Sequence, residues 1–258
     1  MPDLRKRRRL EITTMHQCTI NCFFCPQKVY RDAYKSTENL TLQHFKDALY
    51  HTPKDVAIEF AGFSEPFLNP ECLKMIQYAD SEGYKIIVDT TLTGLDPIGI
   101  KELTKIPFLA FSLHLPDNKN NARIPINQTY KDTLTACLSS IKVDCFSSMN
   151  DTFVSHGRAG NCTDAKAIYK TGKLLCQLGK YRYPSPVMLP NGTLVICCMD
   201  YGLTTRLGNI YQTDYDTLIA NVKQAELCRH CVYADSPLKS LVRNTVARAN
   251  GKILRMMN

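Results

Sequence analysis

The 258-residue chain has no run of about 18 apolar residues, so a membrane-spanning helix is excluded. It also lacks a secretory signal: the basic run Arg5–Arg9 is followed by Leu-Glu-Ile-Thr-Thr, which is no apolar core for export. Internal repeats and low-complexity segments are absent. A formal net charge of +8 permits an anionic partner, but it gathers partly in Arg5–Arg9 and Lys239–Arg255, which read as solvated faces. No nucleic-acid-binding motif accompanies that charge, so nucleic acid is not an expected partner. Twelve cysteines without an export signal point to a reducing, cytoplasmic setting and to metal chemistry in place of disulfides.

What the chain does carry is a tight group of three of those cysteines. Cys18, Cys22 and Cys25 form C-x3-C-x2-C directly after the strand-like run Leu10–Thr14. A four-iron cubane normally takes four thiolates, so a loop offering three leaves one iron free to hold a small chelating molecule. Zinc is the competing reading, because four tetrahedral ligands would be complete if His16 joined the three thiols. Spacing favours iron–sulfur over zinc.

Strand-like runs recur at Leu10–Thr14, Val56–Ala61, Lys85–Asp89, Phe108–His114 and Lys142–Phe146, with helical patterns between them. One helix is expected from Thr41, with Leu42, Phe45 and Leu49 on a stripe, and the next after Asn69-Pro70, where Asn caps and Pro opens the helix. Two more fit Ile98–Lys105 and Tyr130–Ser140. Repeated strand–helix units predict an α/β fold with a parallel sheet. At 44% hydrophobic content the chain can bury the core of one large domain, or of one large and one small.

Cys18-Thr-Ile-Asn-Cys22-Phe-Phe-Cys25-Pro, with the aromatic Phe24 before the third cysteine, resembles the signature of the radical S-adenosylmethionine (radical SAM) superfamily. The resemblance implies a [4Fe-4S] cluster that binds SAM through its open iron, in a partial (β/α)6 TIM-like barrel. Gly62-Phe63-Ser64-Glu65-Pro66 is similar to that family's Gly-Gly-Glu motif, which meets the methionine amino group, with Phe63-Ser64 in place of the second glycine. Ser112-Leu113-His114 is similar to a Ser-Leu-Asp motif, with His114 in the Asp position, and Arg123 matches the arginine that reaches the SAM carboxylate. Gly62, Ser64, Glu65, Ser112 and Arg123 are thus the implied cofactor contacts, together with Phe24.

A second cysteine group, Cys176, Cys197, Cys228 and Cys231 with Gly192 between the first two, resembles the opening of the auxiliary-cluster domain called SPASM. No cysteine follows Cys231, so what remains suffices for one auxiliary [4Fe-4S] cluster, as in the shortened twitch form. Cys197 and Cys198 are neighbours whose side chains point to opposite faces in a strand, and the spacing from Gly192 selects Cys197. Cys198, Cys72, Cys137, Cys145 and Cys162 read as small buried hydrophobes. Asn191-Gly192 between Val187–Leu189 and Thr193–Met199 predicts a hairpin. Leu207–Ile210 adds a short segment, and a helix over Tyr215–Ala225 delivers Cys228. The expected division is a barrel over 1–165, a small α+β twitch/SPASM-like subdomain over 166–236 and a basic helix over 237–258.

His156-Gly157-Arg158-Ala159-Gly160-Asn161 is either a connector or a place where backbone meets a ligand, and Arg158 suits a carboxylate or phosphate. Arg158 and His114 are the catalytic candidates. The resemblance implies that SAM is cleaved to a 5′-deoxyadenosyl radical, which removes a hydrogen atom from substrate, while the auxiliary cluster accepts an electron. An external donor such as flavodoxin or ferredoxin would reduce the first cluster. One auxiliary cluster and a compact chain resemble enzymes that oxidise an aminocyclitol alcohol, so a sugar or cyclitol is the first expected substrate. A peptide, crosslinked, epimerised or matured, is the second, and no leader-peptide-binding domain is evident before Cys18. A purely structural metal-binding module would explain the cysteines but not the motifs at Gly62–Glu65, Ser112 and Arg123.

Overall fold

The computed structural model describes residues 7–149, 157–162, 168–176, 185–220, 222 and 224–237. The chain runs through β1 (Arg9–Ile12), α1 (Gln27–Ala33), α2 (Leu42–Tyr50), β2 (Ala57–Phe60), α3 (Cys72–Ser81), β3 (Ile86–Thr90), α4 (Pro97–Leu103), β4 (Ala110–Pro116), α5 (Gln128–Ser140) and β5 (Cys145–Met149). It then passes through β6 (Leu175–Cys176), β7 (Val187–Met188), β8 (Thr193–Val195), β9 (Arg206–Asn209), α6 (Tyr215–Ala220) and β10 (Ala234–Asp235).

Eight of these strands form one sheet in the order β5-β4-β3-β2-β1-β7-β8-β9. Strands β1 to β5 are parallel neighbours, as the strand–helix alternation requires. A further parallel pairing comes from β7, which lies beside β1 with Ile12 opposite Met188. The Asn191-Gly192 turn closes β7 and β8 into the expected antiparallel hairpin, and β9 extends it. Gly192 has φ +80, the left-handed region such turns need. This is the α/β, partial TIM-like architecture that the sequence predicts, with β7–β9 continuing the sheet of β1–β5.

Helix starts follow local chemistry. Thr41 caps α2 by accepting from the His44 N–H at 3.1 Å, and Asp96 and Asn127 cap α4 and α5 in the same way. The helix expected right at Pro70 begins two residues later, at Cys72. Asn69 still accepts from the Glu71 N–H, but its amide donates to the Thr14 and Leu40 carbonyls, tying this turn to the ends of two other segments. The α6 helix ends at Ala220, short of Ala225, and Cys228 comes from a following 3-10 turn, Glu226–His230. The helix expected over 238–258 lies outside the described residues.

Alternation along the parallel strands sorts the two faces of the sheet. Leu10 and Ile12, Ile58 and Phe60, Ile86 and Val88, and Phe111 and Leu113 join the main core with the helices. Each such large side chain contributes on the order of 1.5–3 kcal/mol by leaving water. The opposite face carries a thin apolar plug of Ala57, Ile87 and Ala110. Beyond it, toward the carboxyl ends of the strands, the same face turns polar with Glu11, Glu59, Asp89 and His114. Arg8 and Arg9 of the basic N-terminal run are not merely solvated: Arg8 pairs with Asp55 and Asp216, and Arg9 with the buried Glu59. Among the described residues no helix is long and apolar enough to cross a membrane.

Candidate functional site

A cavity of about 340 Å³ opens where the carboxyl ends of β1 to β4 meet the 157–160 turn and the segment after β8. Such ends gather chemistry in barrel folds. The three thiols of the N-terminal group, Cys18, Cys22 and Cys25, all line it. Their loop holds its shape through Cys25 N–H to Cys22 C=O, Phe23 N–H to Asn121 C=O, and the Cys22 thiol donating to the Ala122 carbonyl. Asn21, with φ +54, makes the bend between the first two cysteines.

Gln27 locks that loop from beneath. Its amide oxygen accepts from the Cys18 N–H at 3.3 Å, and its amide nitrogen reaches the Cys25 sulfur and the Phe63 carbonyl. His16, the zinc alternative's fourth ligand, instead bonds Asn39 through Nδ1 at 2.7 Å. Among the described residues no group of three His, Cys, Asp or Glu side chains converges to hold a single metal ion. Burial, then the neighbouring Cys25 and Cys18, pushes the Cys22 thiol up to about 12. Burial likewise raises Cys18. A bound metal centre turns such thiols into thiolates, so the three thiols fit as ligands of an iron–sulfur cluster as well as of a single metal ion.

The segment after β2 is tied to β1. Gly62 has φ +68 and donates to Glu11 Oε1, the Phe63 N–H donates to Thr13 Oγ1, and Ser64 Oγ accepts from the Met15 N–H. The departure from the family motif at Phe63 has a packing reason: its ring is buried between Tyr30 and Tyr201 at 5.1 and 4.7 Å. Glu65 is buried at the cavity wall, accepting from Thr90 Oγ1, Thr91 Oγ1 and the Thr91 N–H. Burial raises its pKa against those three donors.

Of the other predicted contacts, Phe24, Gly62, Ser64, His114 and Arg158 line the cavity with the cysteines. Ser112 and Arg123 are not among its walls. Ser112 faces Asp89 across β3 and β4, and Arg123 is exposed with φ +51. Arg158 sits in a left-handed turn with φ +41 and aims its guanidinium at the Tyr201 ring, 5.8 Å away. His156 lies outside the described residues.

The second cysteine group also comes together. Strand β6 pairs with β10 so that Cys176 faces Ala234, and the Cys231 N–H bonds the Cys228 carbonyl. Burial raises Cys197 well above the usual thiol range, and Cys176, Cys231 and Cys228 each add to it. Cys231 is held up to about 11 by burial, with Cys176 and Cys228 contributing. Cys176 and Cys197 reach the cavity shared with the first group. Three of the cysteines read as buried hydrophobes are not buried: Cys145 is exposed on β5, an edge strand among the described residues, and Cys162 and Cys198 are half-buried, Cys198 on the cavity wall.

No protein-family model and no curated protein matches the chain. Solved structures do. BtrN in complex with AdoMet and 2-DOIA superposes on 90% of this chain and 94% of its own, with a TM-score of 0.57 at 15% identity. A hexahistidine-tagged anSMEcpe with bound AdoMet matches 88% of this chain and 84% of its own, at TM-score 0.52 and 14% identity. Streptococcus suis SuiB bound to precursor peptide SuiA matches 88% and 70%, at TM-score 0.50 and 14% identity. At these identities the likeness is one of fold. The chain has the fold of these structures, a partial TIM-like α/β sheet.

Four residues of the cavity wall belong to none of the motifs. Gln27, Glu11, Glu59 and Asp89 all line the cavity. The signal for the last three is present in the sequence: an acid interrupts each of the first three apolar strands, in Leu-Glu-Ile, Ile-Glu-Phe and Val-Asp-Thr.

Proposed function

We propose that the chain is a radical SAM oxidoreductase. In this reading Cys18, Cys22 and Cys25 hold a [4Fe-4S] cluster with one open iron for SAM, and Cys176, Cys197, Cys228 and Cys231 hold an auxiliary [4Fe-4S] cluster. The observation that carries it is that Cys176 and Cys197 line the same cavity as the N-terminal trio, which brings both donor sets to one open cavity. When bound, the first cluster and SAM supply a 5′-deoxyadenosyl radical that takes a hydrogen atom from substrate, and the auxiliary cluster supplies an electron acceptor. The protein's part is to position and shield. Gln27 fixes the cysteine loop, Gly62 and Ser64 shape the wall beside it, Glu65 presents a carboxylate held by Thr90 and Thr91, and Arg158 adds a guanidinium to the same cavity.

The division into a barrel over 1–165 and a twitch-like subdomain over 166–236 belongs to this proposal, with β7 of the second part adding to the sheet of the first. The substrate we assign is a sugar or cyclitol alcohol, which loses two electrons and becomes a carbonyl compound. Likeness to BtrN, whose structure contains 2-DOIA, supports a small molecule. A peptide substrate is the second reading, supported by likeness to SuiB, whose structure contains a precursor peptide. An external one-electron donor of the flavodoxin or ferredoxin kind is part of either.

Deuterium transfer separates the two. A panel of deuterated sugars, cyclitols and peptides is incubated with anaerobically reconstituted protein, SAM and reductant, and 5′-deoxyadenosine is analysed by mass. Deuterium from a sugar or cyclitol is the expected result; deuterium from a peptide alone favours the second reading.

A further inference from the structure

The inner face of the sheet carries charge that the cluster and SAM motifs do not use. Glu11 and Glu59 are register partners on β1 and β2, 7% and 6% exposed, and parallel partners project to one side. Asp89 stands two residues beyond Ile87, the partner of Glu59, and therefore on the same face. His114 stands two residues beyond Ser112, the partner of Asp89. A single diagonal row thus crosses four adjacent strands, and every member of it lines the cavity.

Two cations share the cavity with this row. Arg9 donates to Glu59 at 2.9 and 3.2 Å, and Arg158, over the Tyr201 ring, is near enough to Glu11 to favour its charged form. The Cys198 thiol lies on the same cavity wall. Burial holds the His114 imidazole below its usual range, against Asp89, so it adds no positive charge at neutral pH. Three carboxyls therefore meet two guanidinium groups in a largely desolvated space, and like charges so placed do not all ionise. Burial raises Glu11 to about 7 and, with the Glu11 carboxyl next, raises Glu59 well above the ordinary carboxylate range. The pair titrates as a unit.

We propose that the Glu11–Glu59 pair, flanked by Asp89 and Arg158, is the proton acceptor of the site and receives the hydroxyl proton of the substrate. The proposal rests on the oxidoreductase reading above and adds the group that its stoichiometry requires. The substrate C–H bond breaks as a hydrogen atom leaves for the 5′-deoxyadenosyl carbon, where a new C–H bond forms. The O–H bond breaks as its proton passes to a carboxylate oxygen of the pair. The C–O bond becomes C=O, and the one remaining electron passes to the auxiliary iron–sulfur cluster. With one of the three carboxyls protonated, the two remaining negative charges are matched by the two guanidinium groups, so the floor is near neutral and suits an uncharged alcohol.

The test reads the proton directly. Infrared difference spectra of the reconstituted protein, taken across pH 5 to 9 without substrate, should show a protonated carboxyl band that titrates near neutrality. Glu11→Gln should abolish that component. Asp89→Asn, at a half-exposed position, should keep it but move its midpoint to lower pH, because a repelling charge has gone. A band absent from the wild type near neutrality, or one unchanged in both variants, overturns the proposal. SAM cleavage by the wild type, measured on the same preparation, tests the underlying functional reading separately.

Discussion

The backbone of Gly62 passes so close to Thr13 that a Cβ on it would lie 2.3 Å from Thr13 Oγ1 and 2.8 Å from Thr13 Cα. No side chain fits there, and φ +68 would strain any non-glycine residue as well. Gly62→Ala is therefore expected to destabilise the fold by about 2 kcal/mol or more and to lower SAM affinity. Adding Thr13→Ala should recover less than half of the loss, since the Thr13 backbone contacts remain. Urea unfolding and equilibrium SAM binding measure both.

Gln27 is 2% exposed and links the Cys18 N–H to the Phe63 carbonyl. Removing it strands both groups, at a cost of roughly 1–3 kcal/mol. Gln27→Ala should reduce iron bound at the N-terminal cysteines and leave the second group's iron in place. Iron and sulfide analysis beside a Cys228→Ala control distinguishes the two sites.

Cys197 and Cys198 make opposite predictions. The ionisable neighbours of Cys197 are Cys176, Cys231 and Cys228, whereas those of Cys198 are Glu11, Cys197, Arg158 and Glu59, and it also packs against the Tyr201 cluster. Cys197→Ala should lose one four-iron cluster, and Cys198→Ala should keep both. Equal iron loss in the two variants would contradict the assignment.

Much of this arrangement was legible in the sequence, for identifiable reasons. The strand–helix alternation, the Thr41 cap and the Asn191-Gly192 hairpin depend on neighbours a few residues apart, so local chemistry reveals them. The cysteine groups stand out in the sequence by their spacing, and the structure brings Cys18, Cys22 and Cys25 to one cavity with Cys176 and Cys197. The pairing of β7 with β1 was not legible, because it joins segments far apart in the chain with only two residues in register. Glu11, Glu59 and Asp89 are hidden for a different reason: each interrupts an apolar strand, and only the register of three strands together shows that the interruptions face one cavity. The exposure of Cys145 is likewise a matter of sheet order, since among the described residues its strand lies at the edge.

The buried Glu11 also sets a pH dependence of stability. Its folded pKa, about 7 against an ordinary value of 4.5, means that the folded state holds a proton the unfolded state has released between those values. Stability therefore falls as pH rises from about 4.5 to 7, by up to roughly 3 kcal/mol from this group. Glu11→Gln should flatten that slope. Urea midpoints at pH 5 and pH 8, compared for wild type and variant, show whether it does.

The central claim is that the N-terminal thiol trio leaves one iron open for SAM. Anaerobic reconstitution followed by dithionite and SAM, with 5′-deoxyadenosine quantified by chromatography, tests it most directly. The wild type should bind two four-iron clusters and form 5′-deoxyadenosine, and Cys22→Ala should form none. Zinc in both cysteine groups with no cleavage of SAM would contradict it.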